Sequence, residues 1–271
     1  WLCLKNLHLE KGVNSPMYLE TSSTVIGAEC TWMGCSGGSF GPIRLLSDSS
    51  AAFYECDFFS NGGFQGGAIY AVGSDRLVAE KCRFWRNQSN FRAGAVVLSG
   101  GVEANFRFCD FALNQSSLGG AMAILSDVDL TCFGCTFDSN RASSEGGALL
   151  FEMPSGATAA STALLNYCTF FENSTSGDGG ALAEKTLGSF GVDIDLFHCT
   201  LYQNHAGDEG GAFYLDDSKI DLGATIMADN SSLGSGNQID IAAGGSGSLN
   251  PAFGDNIETG LEGNFVSKGG V

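Results

Sequence analysis

Apolar and polar residues alternate in short runs along this chain, with Val192, Ile194 and Leu196 separated by Asp193 and Asp195, and Ile220 and Leu222 separated by Asp221. Period two is the signature of strands. No stretch places apolar residues at i, i+3, i+4 and i+7, so the pattern predicts an all-strand protein. The runs also recur in a fixed order. Each unit reads C-x-F-x-x-N, a short polar turn, and then G-G-A followed by apolar residues.

The Cys of that unit falls at Cys30, Cys56, Cys82, Cys109, Cys135, Cys168 and Cys199, with Thr225 and Pro251 in the same column, giving steps of 26, 26, 27, 26, 33, 31, 26 and 26 residues. An aromatic column keeps step through Trp32, Phe58, Phe84, Phe111, Phe137 and Phe170, continuing as Leu201, Met227 and Phe253. An Asn column runs Asn61, Asn87, Asn114, Asn140, Asn173, Asn204, Asn230 and Asn256. A repeat of about 26 residues split into three strands and three turns describes one coil of a solenoid. The expected fold is all-β: a right-handed parallel β-helix of about ten coils, one domain over 1–271, forming a rod roughly 48 Å long at the spacing of neighbouring strands.

Stacking explains the columns. Phe on Phe fills a narrow interior. Asn on Asn passes hydrogen bonds from coil to coil at a tight bend, and paired Gly supplies positive φ at the next corner. The Cys column predicts buried thiols and no disulfides, because equivalent Cβ vectors in adjacent coils run parallel. Cys132 and Cys135 form a C-x-x-C, but without the helix N-terminus that would activate a thiol.

The paired motifs F-x-x-N and G-G-A-[ILV] stand here as Phe58 to Asn61 with Gly66 to Ile69, Phe137 to Asn140 with Gly146 to Leu149, and Phe170 to Asn173 with Gly179 to Leu182. In these motifs the chain resembles the repeats of chlamydial polymorphic outer-membrane proteins, over residues 30 to about 256. The resemblance implies β-helical passenger regions displayed on a cell surface, used in adhesion and followed by a C-terminal membrane barrel.

Charge narrows the partners. The 30 acidic and 13 basic residues give a formal charge of −17, which repels a phosphate backbone and excludes nucleic acid. No apolar run is long enough to span a bilayer as a helix. The opening Trp-Leu-Cys, without an initiator Met or a leader pattern, reads as a piece of a longer product.

Candidate sites follow from the register. Alternation turns the residue after each ladder aromatic outward, giving Met33, Phe59, Trp85, Ala112, Asp138, Phe171 and Tyr202. Phe59, Trp85, Phe171 and Tyr202 form the expected recognition strip for sugar rings or a protein surface. The same rule puts Ile69, Val96, Met122, Leu149, Leu182 and Phe213 inside. It leaves Ala68, Ala95, Ala121, Ala148, Ala181 and Ala212 on a flat outer strip. Glu145, Asp178 and Glu209 lie one coil apart before the paired Gly, so Ca²⁺ is the candidate cation for them. No other cofactor is expected. N-x-[ST] sequons mark Asn87, Asn114, Asn173 and Asn230 as candidate glycosylation sites. Insertions at 152–161 and 184–191 share one corner, where solenoids often build binding faces.

No triad, phosphate loop or zinc signature is present, and Asp57, Arg83 and Asp110 do not converge with a His or Lys. The expected function is a non-catalytic extracellular or cell-surface module, structural or adhesive, binding a protein or glycan through its outer faces. The alternatives are a carbohydrate-active β-helix enzyme of the polysaccharide lyase or hydrolase kind, and an architectural subunit stacking on copies of itself in an extracellular filament.

Overall fold

The computed structural model describes residues 2–14, 17–20, 22–73, 76–216, 218–234, 236, 239–241, 246–249, 257–259 and 265–267, and all its regular elements there are strands. Three ten-stranded sheets run the length of the molecule. We call them A, beginning at Leu2–Lys5; B, beginning at His8–Glu10; and D, beginning at Met17–Leu19. Every pairing is parallel, and each strand pairs with its equivalents one repeat away, as Phe84 does with Phe58 on one side and Phe111 on the other. The result is a parallel β-solenoid of about nine turns. No helix of the described residues is long and apolar enough to cross a membrane.

The middle coils carry a fourth strand that the sequence pattern conceals. Gly62–Gln65, Gln88–Arg92, Gln115–Leu118 and their equivalents form a seven-stranded sheet C between B and D. These segments are polar and lack alternation because they lie at the surface with bulged register.

The interior is a continuous ring stack. Trp32, Phe58, Phe84, Phe111, Phe137 and Phe170 lie face to face with centroids 4.6–5.0 Å apart and planes within 8°. Phe53 and Phe106, from sheet A, meet the stack edge-on. Each fully buried ring contributes on the order of 2–3 kcal/mol of hydrophobic stabilisation, and the side chains need no partner beyond the next coil.

At the corner after sheet B, Asn61 Nδ2 donates to Trp32 O at 2.9 Å and to Asn87 Oδ1 at 3.0 Å, while Asn87 Oδ1 also takes the Asn61 backbone N–H at 3.0 Å. The same triple contact repeats upward from Asn87 to Asn204. All ten cysteines are free thiols, and only Cys3 is exposed. The column thiols donate to main-chain carbonyls, as Cys109 Sγ does to Ala79 O at 3.3 Å. Thr225 Oγ1 takes over the role with Leu196 O and Gly223 O, both at 3.3 Å. Pro251, Phe253 and Asn256 lie outside the described residues.

The alanine strip is a correction. Ala68, Ala95, Ala121, Ala148, Ala181 and Ala212 are fully buried in the core. Ala95 O accepts from both Ala68 N at 2.8 Å and Ile69 N at 3.0 Å, so the chain is kinked here and strict alternation fails. Ala68 and Ile69 both point inward. The outward positions beyond them are covered too: Val97 and Ala123 pack with Ala93 in a small second cluster. The end of sheet C folds back over sheet D, and the first Gly of each pair makes that close approach. At Gly119, with φ +67°, a Cβ would lie 2.1 Å from Met122 O.

Candidate functional site

The outer face of sheet B is built from strands of three residues whose middle member is the ladder aromatic, so the first and third members face out. The register aligns Met33, Phe59, Trp85, Ala112, Asp138, Phe171 and Tyr202 in one column. Thr31, Asp57, Arg83, Asp110 and Thr136 form the parallel column.

These columns do not make one unbroken aromatic strip. Phe59 and Trp85 meet edge to face at 5.6 Å, and Phe171 and Tyr202 stack at 5.7 Å with planes 6° apart. Ala112 and Asp138 separate the two pairs. Trp85 is 42% exposed and forms the ridge between two hollows. One, of about 270 Å³, is lined by Arg83, Trp85, Asp110, Ala112, Thr136 and Asp138. The other, of about 200 Å³, is lined by Thr31, Met33, Asp57, Phe59, Arg83 and Trp85.

Polar groups frame the ridge. Arg83 grips Asp57 through two bonds, Nε to Oδ1 at 2.6 Å and Nη2 to Oδ2 at 2.7 Å, and the hydrogen bond to Asp57 raises its already high pKa. Desolvation pushes the Asp110 carboxyl above its ordinary range. An apolar ring flanked by carboxylates, a guanidinium and the Thr136 hydroxyl can stack on one face of a sugar ring and hydrogen-bond its hydroxyls.

The three stacked carboxylates sit one coil apart, with Gly146 N bonded to Asp178 O and Gly179 N to Glu209 O. Two of the three carboxylates are engaged from within the chain. Lys185 Nζ bonds Glu145 Oε1 at 2.6 Å, and Glu209 N donates to Asp178 Oδ1 at 2.9 Å. Among the described residues no group of three or more His, Cys, Asp or Glu is arranged to hold a metal ion. Burial, with Asp178, Asp216 and Glu209 adding to it, pushes the neighbouring Tyr214 hydroxyl up to about 12.

Asn87, Asn114, Asn173 and Asn230 are buried in the ladder, 0–5% exposed. Their amides donate inside the coil, so the folded chain presents no free sequon nitrogen at these positions. The insertions lengthen sheet D, pairing Glu152 with Lys185 and Met153 with Thr186. One residue of the second insertion, Glu184, is fully buried, accepting from Thr186 Oγ1 at 2.5 Å and Asp216 N at 2.9 Å. Cys132 joins the column thiols inside, where hydrogen bonding to Cys135 and burial raise its pKa.

A second aromatic ridge has no counterpart among the sequence expectations. At the corner between sheets A and B, Phe108 meets Phe133 at 5.5 Å, Phe133 meets Tyr167 at 5.4 Å, and Tyr167 stacks on His198 at 4.8 Å. Phe108 and Tyr167 hold φ of +52° and +54° while remaining 48% and 56% exposed, a conformation bulky residues rarely adopt. The residue before each column Cys runs Glu29, Glu55, Lys81, Phe108, Gly134, Tyr167 and His198 and marks three of the four rings, with Phe133 standing beside Gly134.

Comparison with family models gives two matches. The model described as the right handed beta helix region covers residues 3–153. The Chlamydia polymorphic membrane protein repeat covers residues 167–183, which hold the third of the F-x-x-N and G-G-A pairs above. Comparison with curated proteins and with solved structures returned no significant match.

Proposed function

We propose a function on the premise that this chain belongs to the right-handed β-helix family: it is a non-catalytic binding module displayed at a cell surface, and it holds a glycan along the outer face of sheet B. The repeat match at residues 167–183 supports surface display, since that repeat is described for a membrane protein of Chlamydia. The observation that carries the binding role is the exposed Trp85, braced by Phe59 and flanked by two polar-rimmed hollows. Both hollows are partly open to solvent, so a ligand seated in them can extend along the face.

A glycan array followed by titration with the bound oligosaccharide, read through Trp fluorescence, tests this reading. Replacing Phe59 and Trp85 together by Ser is expected to weaken binding by about tenfold or more with an unchanged β-sheet spectrum. Binding unaffected by the double replacement would refute it, as would turnover of the bound glycan.

A further inference from the structure

Most basic side chains of this acidic molecule meet a carboxylate: Arg83 meets Asp57, Arg92 meets Glu152 and Lys185 meets Glu145, each at 2.6–2.7 Å. Arg44 does not. It stands on the outward side of the sheet D strand Ile43–Leu46, in register with Tyr18 on one side and Tyr70 on the other. Its Cζ lies 4.9 Å from the Tyr18 ring centre and 4.2 Å from that of Phe40. Phe40 in turn packs on Tyr70 at 4.2 Å, tilted by 45°.

Arg44 Nε is buried and has no hydrogen-bond acceptor, and among the described residues the guanidinium makes neither an ion pair nor a hydrogen bond. The Glu20 carboxylate accepts its hydrogen bond from the Tyr18 hydroxyl. Arg92, on the neighbouring sheet C, is held by both oxygens of Glu152 at 2.7 and 2.8 Å. A half-buried guanidinium with its donors unused is costly unless something supplies acceptors.

We infer that Arg44, with the rings of Tyr18, Phe40 and Tyr70, forms a binding site for a sugar carrying a single carboxylate. A carboxylate matches the planar fork of the guanidinium with two parallel hydrogen bonds. Tyr18, 47% exposed, offers a ring for the apolar side of a pyranose. The formal charge of −17 repels a polyanion, whereas one negative charge is offset by Arg44 itself. This site lies on sheet D and is independent of the Trp85 face on sheet B.

The test is calorimetric titration with two probes, sialyllactose and a glucuronate-terminated disaccharide, each as free acid and as methyl ester. At least one acid binds, and its ester binds about tenfold or more weakly. Arg44→Gln loses the difference between acid and ester, and Arg44→Lys, which keeps the charge without the fork, recovers part of it. Failure of both acids to bind, or equal binding of acid and ester, overturns the inference. So does acid binding that survives Arg44→Gln and disappears with Trp85→Ser, which would put the sugar on sheet B. A polyglutamate peptide that binds where both sugars fail would assign the site to an acidic protein segment instead. Should Arg44→Gln fail to fold, the comparison of acid with ester on the unaltered protein decides.

Discussion

Asn114 Oδ1 accepts two hydrogen bonds from Asn87, one from its main-chain N–H at 3.0 Å and one from its side-chain Nδ2 at 3.1 Å. Asn114 Nδ2 spends its two hydrogens on Phe84 O at 2.8 Å and Asn140 Oδ1 at 2.9 Å. Every polar atom of the amide is therefore used, in a site with no exposure.

Asn114→Ala strands two donors of Asn87 and is expected to cost about 2–4 kcal/mol, seen as a lower midpoint in urea denaturation. Asn114→Asp keeps the acceptor but turns an anionic oxygen toward Phe84 O and Asn140 Oδ1. At neutral pH it should destabilise at least as much as Ala. A neutral outcome for both would show that the ladder is dispensable.

The glycines provide a paired contrast. A Cβ at Gly120 would stand 2.0 Å from Gly147 O and 2.7 Å from Arg141 N, both backbone atoms of the next coil, while at Gly156 nothing lies within 4 Å. Gly120→Ala should therefore cost about 2–3 kcal/mol by forcing coils apart, and Gly156→Ala should change stability by no more than about 0.5 kcal/mol. Thermal melts of the two variants side by side give the comparison.

The thiols should be reduced and shielded. Hydrogen bonding to Cys135, together with burial, pushes Cys109 up to about 12, so it carries almost no thiolate at neutral pH. Native protein is expected to take up maleimide at Cys3 alone, and denatured protein at the column cysteines without prior reduction. Mass spectrometry that finds labelling only after a reductant has been added would overturn the thiol ladder.

Desolvation raises the Asp178 pKa above its ordinary 3.8. The folded state then holds this proton more tightly than the unfolded state. The resulting stabilisation is complete below the unfolded value and is lost as pH rises through the folded one. Asp178→Asn removes the titration, so its melting temperature relative to the parent should rise between pH 3 and pH 7. Calcium is expected to leave both melts unchanged, because Lys185 already bonds Glu145. A gap that narrows with pH would overturn the desolvation argument, and a calcium shift lost in the variant would restore the cation site.

The coils were legible because stacking forces identical chemistry into register, and Phe58, Asn61 and Cys56 could be aligned with their successors by eye. Strict alternation turns Ala68 outward, because the kink that brings both Ala68 and Ile69 inside leaves no mark in the sequence pattern. Sheet C was hidden because Gln88 to Arg92 is polar and bulged, so neither period nor composition marks a strand. The corner ridge was hidden because its column mixes Glu29, Lys81, Phe108 and Gly134, which share a left-handed backbone and no side-chain type. Of the strip, the sequence located the pairs Phe59 with Trp85 and Phe171 with Tyr202. The Arg44 cluster joins Tyr18, Phe40 and Tyr70 across three coils, a proximity that needs the register first.

The Asn ladder has a direction. Between the ladder residues themselves the coil nearer the N-terminus donates to the Oδ1 of its successor, from Cys35 N to Asn61 Oδ1 through Asn204 N to Asn230 Oδ1, while each Asn Nδ2 returns one bond to a carbonyl of the coil before. A solenoid cut between coils therefore shows two unlike ends at this corner: the lower piece leaves two N–H donors and one carbonyl open, and the upper piece leaves one amide oxygen and one N–H donor. Orphaned donors are the harder group to leave unmet, since an amide hydrogen has one use and a carbonyl has two lone pairs. Assembly that starts at the N-terminus thus carries its unmet valence at the growing tip, and each arriving coil quenches the one before it.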